Sequence, residues 1–111
     1  MSHGLVIVTG GARGIGAAIS RKLAADGYAI AVNFASDEHA AETTVAAIRA
    51  AGGKAQAFRA DVGAHQEIPK LFEDSTAALG PLVGLVNNAG IGGGLVRVDE
   101  RDPAELARPF D

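Results

Sequence analysis

A glycine-rich stretch near the amino terminus limits the possible folds of this chain more than any other feature. Residues 9–16 read Thr-Gly-Gly-Ala-Arg-Gly-Ile-Gly and join the apolar run Leu5–Val8 to a segment with helical spacing. Such a turn leaves N–H groups at the helix start without intrahelical partners, and the helix dipole favours an anion there. Glycine also lets a ligand approach the backbone closely. The stretch therefore predicts a phosphate-binding turn.

Two well-known phosphate-binding patterns do not fit this stretch. The dinucleotide fingerprint Gly-x-Gly-x-x-Gly/Ala would need glycine or alanine where the chain has Ile19. The lysine of a Walker A loop is also missing. What remains is the pattern Thr-Gly-x-x-x-Gly-x-Gly, which by itself is also compatible with an ordinary glycine-rich loop between a strand and a helix.

Apolar strands alternate with helical stripes along the rest of the chain. Such alternation predicts a parallel sheet with right-handed crossovers. The third strand alternates in polarity as an edge strand does, whereas the first and fourth are wholly apolar, which favours the order 3-2-1-4. The fold class is therefore α/β, the amino-terminal part of a Rossmann-type doubly wound sheet whose second half is absent from residues 1–111. The predicted strands are residues 5–8, 29–32, 54–59 and 82–86, and the helices follow the first three of them.

Two further expectations concern single elements. The helix after the glycine turn carries an apolar stripe whose members Ile15, Ala18, Ile19 and Leu23 should face the sheet. The fourth strand, Leu82–Val86, shows no alternation and should be covered on both faces and paired on both edges. One neighbour is then the first strand, and the other is expected to be a strand outside residues 1–111.

The predicted order brings three unusual sequences to one edge of the sheet. Gly10–Gly16, Asp61 and Asn87–Gly90 each follow the end of a strand. Parallel strands end at a common edge, and ligands bind there at the point where the winding reverses. This edge is therefore the predicted binding site.

The three sequences, in this order and spacing, resemble the short-chain dehydrogenase/reductase family, and within it the 3-oxoacyl-[acyl-carrier-protein] reductases. They are the turn at residues 9–16, the pair Asp61-Val62, and Asn87-Asn88-Ala89-Gly90. The resemblance covers essentially the whole chain. It implies an oxidoreductase that transfers a hydride between a nicotinamide cofactor and a carbonyl or alcohol, with assembly as a homo-oligomer.

The resemblance also implies which residues bind the cofactor. Gly10 and Ile15 would line the pyrophosphate, Asp61 would bond the adenine amino group, and Val62 would pack on the adenine ring. The Asn88 segment would lie along the adenosine ribose and toward the nicotinamide, while Asn87 has a structural alternative as a tie between strand ends. The full expected set is Gly10, Arg13, Gly14, Ile15, Gly16, Ser36, Asp61, Val62, Asn88, Ala89 and Gly90.

The end of the second strand favours NADP as the cofactor, with NAD as the alternative. An NAD enzyme usually places an acid there to bond the ribose 2′-OH, but residues 33–36 read Asn-Phe-Ala-Ser. Arg13 would then face the 2′-phosphate of NADP; otherwise it is a solvated loop cation. Ser36 either reaches that phosphate or caps the second helix, and Asp37 and Glu38 suit the first turn of that helix.

The catalytic residues implied by the resemblance are not present in residues 1–111. The family uses a tyrosine with a lysine four positions later, together with a serine and an asparagine. The sole tyrosine, Tyr28, is followed four positions later by Val32. We therefore expect the serine, tyrosine and lysine beyond Asp111, and the 111-residue chain, a single domain, to be inactive alone. The alternative is a nucleotide-binding module without chemistry.

Composition excludes several other classes of function. The net charge of −3 argues against nucleic acid as a partner, and no apolar run is long enough for a signal peptide or a membrane span. The three histidines are scattered, so no metal site is expected. The lack of cysteine is compatible with a reducing cytoplasm, which is the expected location.

Overall fold

The computed structural model describes residues 3–12, 14–88 and 95–97, and contains one five-stranded sheet with helices on both faces. The order of the strands is β3-β2-β1-β4-β5, and the first four are parallel. The predicted order 3-2-1-4 is therefore confirmed. The elements in chain order are β1 (Leu5–Thr9), α1 (Gly14–Ala25), β2 (Ala29–Phe34), α2 (Glu38–Ala50), β3 (Ala55–Arg59), a 3₁₀ turn (His65–Glu67), α3 (Ile68–Leu79), β4 (Leu82–Asn87) and β5 (Leu95–Arg97).

Both faces of the sheet are buried at its centre. All residues of β1 and β2 are buried, and alternate side chains point to opposite faces. On one face, Val6 and Val8 pack with Val45 of α2, and on the other, Leu5 and Ile7 pack with Phe72 of α3. The double covering explains why β1 reads as a continuous apolar run.

The far edge of β4 differs from the prediction. Its partner was expected outside residues 1–111, but β5 of this chain pairs there antiparallel, with Leu85 opposite Val96 and Val86 opposite Leu95. The reason is the short connection between the two strands, since a parallel neighbour would need a crossover of roughly a dozen residues or more. The expectation of full covering also fails at the start of β4, where Leu82 and Val83 are half-buried.

The buried face of α1 matches the predicted stripe only in part, since Ile19 and Leu23 pack against the core. Gly16, Ala17 and Ser20 are buried, whereas Ile15 and Ala18 are exposed. Small residues face inward because the start of α1 packs directly on the backbone of the turn that precedes it. The helix is thereby rotated so that Ile15 lies outside the core.

Candidate cofactor-binding site

The stretch from Gly10 to Gly16, called here the phosphate turn, lies at the carboxyl edge of the sheet, where the parallel strands end. It leaves β1 after Thr9, and α1 begins at Gly14. Gly10 and Gly14 have φ values of 62° and 61°, in the left-handed region that glycine adopts without steric cost. The turn is flanked by the ends of β2 and β4, as the strand order predicts.

The last glycine of the phosphate turn is required by a close backbone contact. A Cβ added at Gly16 would lie 2.1 Å from the carbonyl oxygen of Gly10 and 2.7 Å from Nδ2 of Asn88. At Gly14, by contrast, an added Cβ would have no heavy atom within 4 Å. Gly16 therefore serves the packing of the turn, whereas Gly14 faces open space.

Side chains at the end of β4 fasten one side of the turn. The hydroxyl of Thr9 lies 3.2 Å from both the Val86 carbonyl oxygen and Oδ1 of Asn87, and accepts a 3.0 Å bond from the Asn88 N–H. Nδ2 of Asn88 donates to the Gly10 carbonyl oxygen at 3.1 Å. Asn87 thus joins two strand ends, in line with its structural alternative, and the Asn88 amide contacts the phosphate turn itself.

A buried asparagine in β2 fastens the other side. Oδ1 of Asn33 accepts from the Gly10 N–H at 3.2 Å, and Nδ2 donates to the carbonyl oxygens of Ala60 at 3.1 Å and Phe58 at 3.4 Å. Sequence reasoning missed this role. The available signal was a polar residue extending a buried apolar strand, because buried polar groups in proteins are almost always hydrogen-bonded.

Helix α2 contributes a third contact, and its amino-terminal cap settles one alternative. The hydroxyl of Thr44 donates to the Ala12 carbonyl oxygen at 2.6 Å. The cap of α2 is Asp37, whose Oδ1 accepts from the Ala40 N–H at 3.0 Å. The interpretation of Ser36 as that cap is therefore wrong, and Ser36 lies exposed beyond the end of β2.

Asp61 is exposed and lies in the segment after β3, residues 60–64, called here the β3 loop. One carboxylate oxygen, Oδ1, accepts from the Gly63 N–H at 2.9 Å, and the Asp61 N–H donates to Glu67 at 2.9 Å. No described residue donates a hydrogen bond to the second oxygen, Oδ2. Val62 is half-buried and packs against the α3 face of the core.

The surface between these segments has the features of an anion site bordered by apolar area. Within the described part of the chain, no acceptor pairs with the N–H groups of Gly14, Ile15 and Gly16. The Ile15 side chain beside them is 73% exposed. The predicted site residues Arg13, Ala89 and Gly90 lie outside the described residues.

The described residues offer little sign of other kinds of site. They include no group of three or more histidine, cysteine, aspartate or glutamate side chains placed to hold a metal ion. None of the helices in this part of the chain is long and apolar enough to cross a membrane. A glycine turn opening a helix, at the point where a parallel sheet reverses its winding, defines a Rossmann-type dinucleotide-binding fold.

Comparison with known proteins identifies the family within that class. A family model described as short chain dehydrogenase matches residues 4–111, and the chain belongs to the short-chain dehydrogenase/reductase family, as predicted. It is 47% identical over 87 residues to an uncharacterised oxidoreductase of Methylorubrum extorquens, covering 78% of this chain and 35% of the relative. It is 40% identical over 85 residues to a 3-oxoacyl-[acyl-carrier-protein] reductase of Staphylococcus epidermidis, covering 77% and 35%.

A solved structure shows the same likeness in three dimensions. It is a blue fluorescent protein from a metagenomic library in complex with NADPH, with a TM-score of 0.76 and 42% sequence identity. The match covers 81% of this chain and 37% of that protein. The chain thus spans about a third of the length of the relatives that it matches.

Proposed function

We propose that this chain is the cofactor-binding part of an oxidoreductase that transfers a hydride between NADP(H) and a carbonyl or alcohol substrate. The observation that carries the proposal is the phosphate turn, which is fastened by Asn33 and Asn88 while the N–H groups of Gly14–Gly16 have no described acceptor. A turn held in this way is pre-organised for an anion. The bound nicotinamide ring supplies or accepts the hydride.

Different residues of the site would bind different parts of the cofactor. The N–H groups at the start of α1 would hold the pyrophosphate, assisted by the helix dipole, and the exposed Ile15 side chain would pack on the cofactor. Oδ2 of Asp61 would accept from the adenine amino group, with Val62 against the ring. Asn88, Ala89 and Gly90 would follow the ribose toward the nicotinamide.

The end of β2 supports NADP over NAD. The strand ends at Phe34 and is followed by the exposed Ser36. The first acid after the strand, Asp37, is engaged as the cap of α2. A hydroxyl at Ser36 and the cation of Arg13 suit a 2′-phosphate better than a 2′-hydroxyl. The NADPH held by the related fluorescent protein agrees with this choice.

The second candidate is a nucleotide-binding module that performs no reaction. The position of Tyr28 within residues 1–111 is compatible with it, because this tyrosine lies at the amino edge of the sheet, where the strands begin, with its ring 5.7 Å from that of His3. This tyrosine is remote from the phosphate turn and has no lysine four positions later.

One experiment distinguishes the two candidates. The complete protein to which these residues belong is titrated with NADPH by calorimetry, and its oxidation of NADPH is followed with a panel of small ketones and aldehydes. Binding with turnover is expected, and binding without turnover would favour the module. No binding of NADPH would refute both. Light scattering of the same sample tests the homo-oligomer that belongs to the proposal.

A further inference from the structure

Asn33 connects two segments of the site that are distant in sequence. Its side chain is 2% exposed. Toward the phosphate turn it accepts from the Gly10 N–H at 3.2 Å, and its own carbonyl oxygen accepts from the Gly11 N–H at 3.0 Å. On its other side the amide donates to the Ala60 carbonyl oxygen in the β3 loop at 3.1 Å, and to the Phe58 carbonyl oxygen within β3 at 3.4 Å. Within the described residues, no other side chain hydrogen-bonds to both segments.

We propose that Asn33 is a positioning residue for the cofactor, because it fixes the distance between the phosphate turn and the β3 loop. The first segment would hold the pyrophosphate and the second the adenine, so this role depends on the cofactor-binding function proposed above. Asn33 itself is buried, and its side chain reaches the two segments through its bonds to Gly10 and Ala60.

The chemistry of the position requires a donor and an acceptor at opposite sides of one short side chain. A carboxamide has both. An ionised carboxylate has only acceptors, so Asn33→Asp would direct negative charge at the carbonyl oxygens of Ala60 and Phe58. A protonated carboxyl group has one donor and one acceptor and restores the pattern of the amide. Acidification should therefore rescue this variant.

Loss of the connection should affect ligands according to how much of the site they span. NADPH contacts both segments and benefits from their fixed separation. Adenosine fits only the β3 loop and gains nothing from the position of the phosphate turn. A general destabilisation of the fold, by contrast, would weaken the binding of both ligands in the same proportion.

The test uses the complete protein and the variants Asn33→Asp and Asn33→Ser. The serine introduces no charge, and its hydroxyl ends one bond nearer the backbone than the carboxamide atoms, so it does not span the two segments. Calorimetry gives the Kd of NADPH, and titration followed by NMR gives that of adenosine. Near neutral pH, each variant should raise the Kd of NADPH about tenfold or more and that of adenosine less than about threefold. When the pH is lowered from about 8 to about 5, the ratio of the Kd of Asn33→Asp for NADPH to that of the wild type should fall markedly. The same ratio for Asn33→Ser should not fall.

The matched control is Ser75→Ala, which removes another fully buried hydrogen bond, from the Ser75 hydroxyl to the Leu71 carbonyl oxygen within α3. Its Kd for NADPH should stay within about twofold of the wild type. Equal weakening of NADPH and adenosine by both Asn33 variants, or an unchanged NADPH affinity, would overturn the positioning role alone. Failure of the wild type to bind NADPH would refute the proposed function, and the role of Asn33 with it.

Discussion

The two edges of the sheet both turn the chain with glycines, but different kinds of contact hold them. At the amino edge the glycines that follow α2 and α3 end those helices, and their N–H groups bond to carbonyl oxygens a few residues earlier, as Gly52 does to Arg49 and Gly80 to Thr76. At the carboxyl edge the phosphate turn is held by residues far away in sequence. Asn33 and Asn88 bond to Gly10 across 23 and 78 positions.

This difference separates the scaffold from the site. At the amino edge, local bonds from the glycine N–H groups satisfy the last carbonyl groups of a helix and thereby terminate it. Long-range bonds at the carboxyl edge fix the turn from outside and leave the first N–H groups of α1 available for a ligand. Substitutions at the carboxyl edge should therefore change cofactor binding, and matched substitutions at the amino edge should change stability at most.

The largest effect is expected from Gly16→Ala. The added Cβ would lie 2.1 Å from the Gly10 carbonyl oxygen, so the backbone must shift, at a cost of about 3 kcal/mol or more in the free energy of unfolding. NADPH binding should be lost. The control, Gly52→Ala, adds a Cβ with no heavy atom within 4 Å at a φ of 91°, and should cost about 1–2 kcal/mol without affecting Kd. Thermal unfolding measures the change in stability, and calorimetry measures the Kd of NADPH. Equal effects of the two variants on that Kd would contradict the proposed difference between the two edges.

Arg13→Ala tests the charge preference of the carboxyl edge. Loss of one charge-assisted contact with the 2′-phosphate should weaken NADPH binding by about 1.5–3 kcal/mol and leave NADH binding nearly unchanged. Lys22→Ala removes the same charge from the other end of α1, where Lys22 forms an exposed ion pair with Asp26, and should leave both affinities unchanged. If Arg13→Ala weakens both cofactors equally, Arg13 is only a surface cation and NADP is the wrong cofactor.

Thr9→Val removes the hydroxyl that links β1 to β4. The Asn88 N–H then keeps only its 3.2 Å contact with the Val86 carbonyl oxygen, so we expect a loss of about 1 kcal/mol in stability and a severalfold weaker binding of NADPH. Thr76→Val makes the same change near the end of α3, where the hydroxyl bonds only to carbonyl oxygens of its own helix, and should cost about 0.5 kcal/mol or less. A Thr9→Val protein with native affinity would show that the Asn88 contact does not position the turn.

The smallest effect is expected from Asp61→Asn. The variant keeps an oxygen for the Gly63 N–H, so stability should change by less than about 0.5 kcal/mol. It replaces Oδ2 with a donor that faces the adenine amino group, which should cost about 1 kcal/mol of cofactor affinity. The control is Asp26→Asn, the same change in an exposed ion pair at the amino edge. If both variants bind NADPH like the wild type, Asp61 does not contact adenine.

The order of the parallel strands could be predicted because it depends on polarity patterns within each element. The face of α1 could be predicted only in part. Ile19 and Leu23 of the predicted stripe pack against the core, but the contact of Gly16 with the Gly10 carbonyl oxygen brings small residues inward at the start of the helix. β5 was missed because the three residues Leu95–Arg97 are too few to show strand alternation.

Some residues of the candidate site could likewise be predicted from the sequence, and others could not. The glycine turn and Asp61 could be predicted as site residues because each belongs to a short pattern at the end of a strand, and their roles toward the cofactor stay predictions. Asn33 was not found, because its partners Gly10 and Ala60 lie 23 and 27 positions away and meet it only once the strand order is known. Ser36 was predicted either to cap α2 or to reach the phosphate. The sequence could not decide between Ser36 and Asp37 as the cap, because that choice depends on side-chain geometry.

The most direct test of the difference between the edges uses the glycines themselves as probes. The complete protein, labelled with isotopic glycine, is titrated with NADPH while the amide NMR signals are assigned and followed. The signals of Gly10, Gly14 and Gly16 should shift with a common Kd, and those of Gly52 and Gly80 should remain in place. Shifts centred on Gly52 and Gly80, or no shift in either group at saturating NADPH, would contradict the assignment of the cofactor to the carboxyl edge.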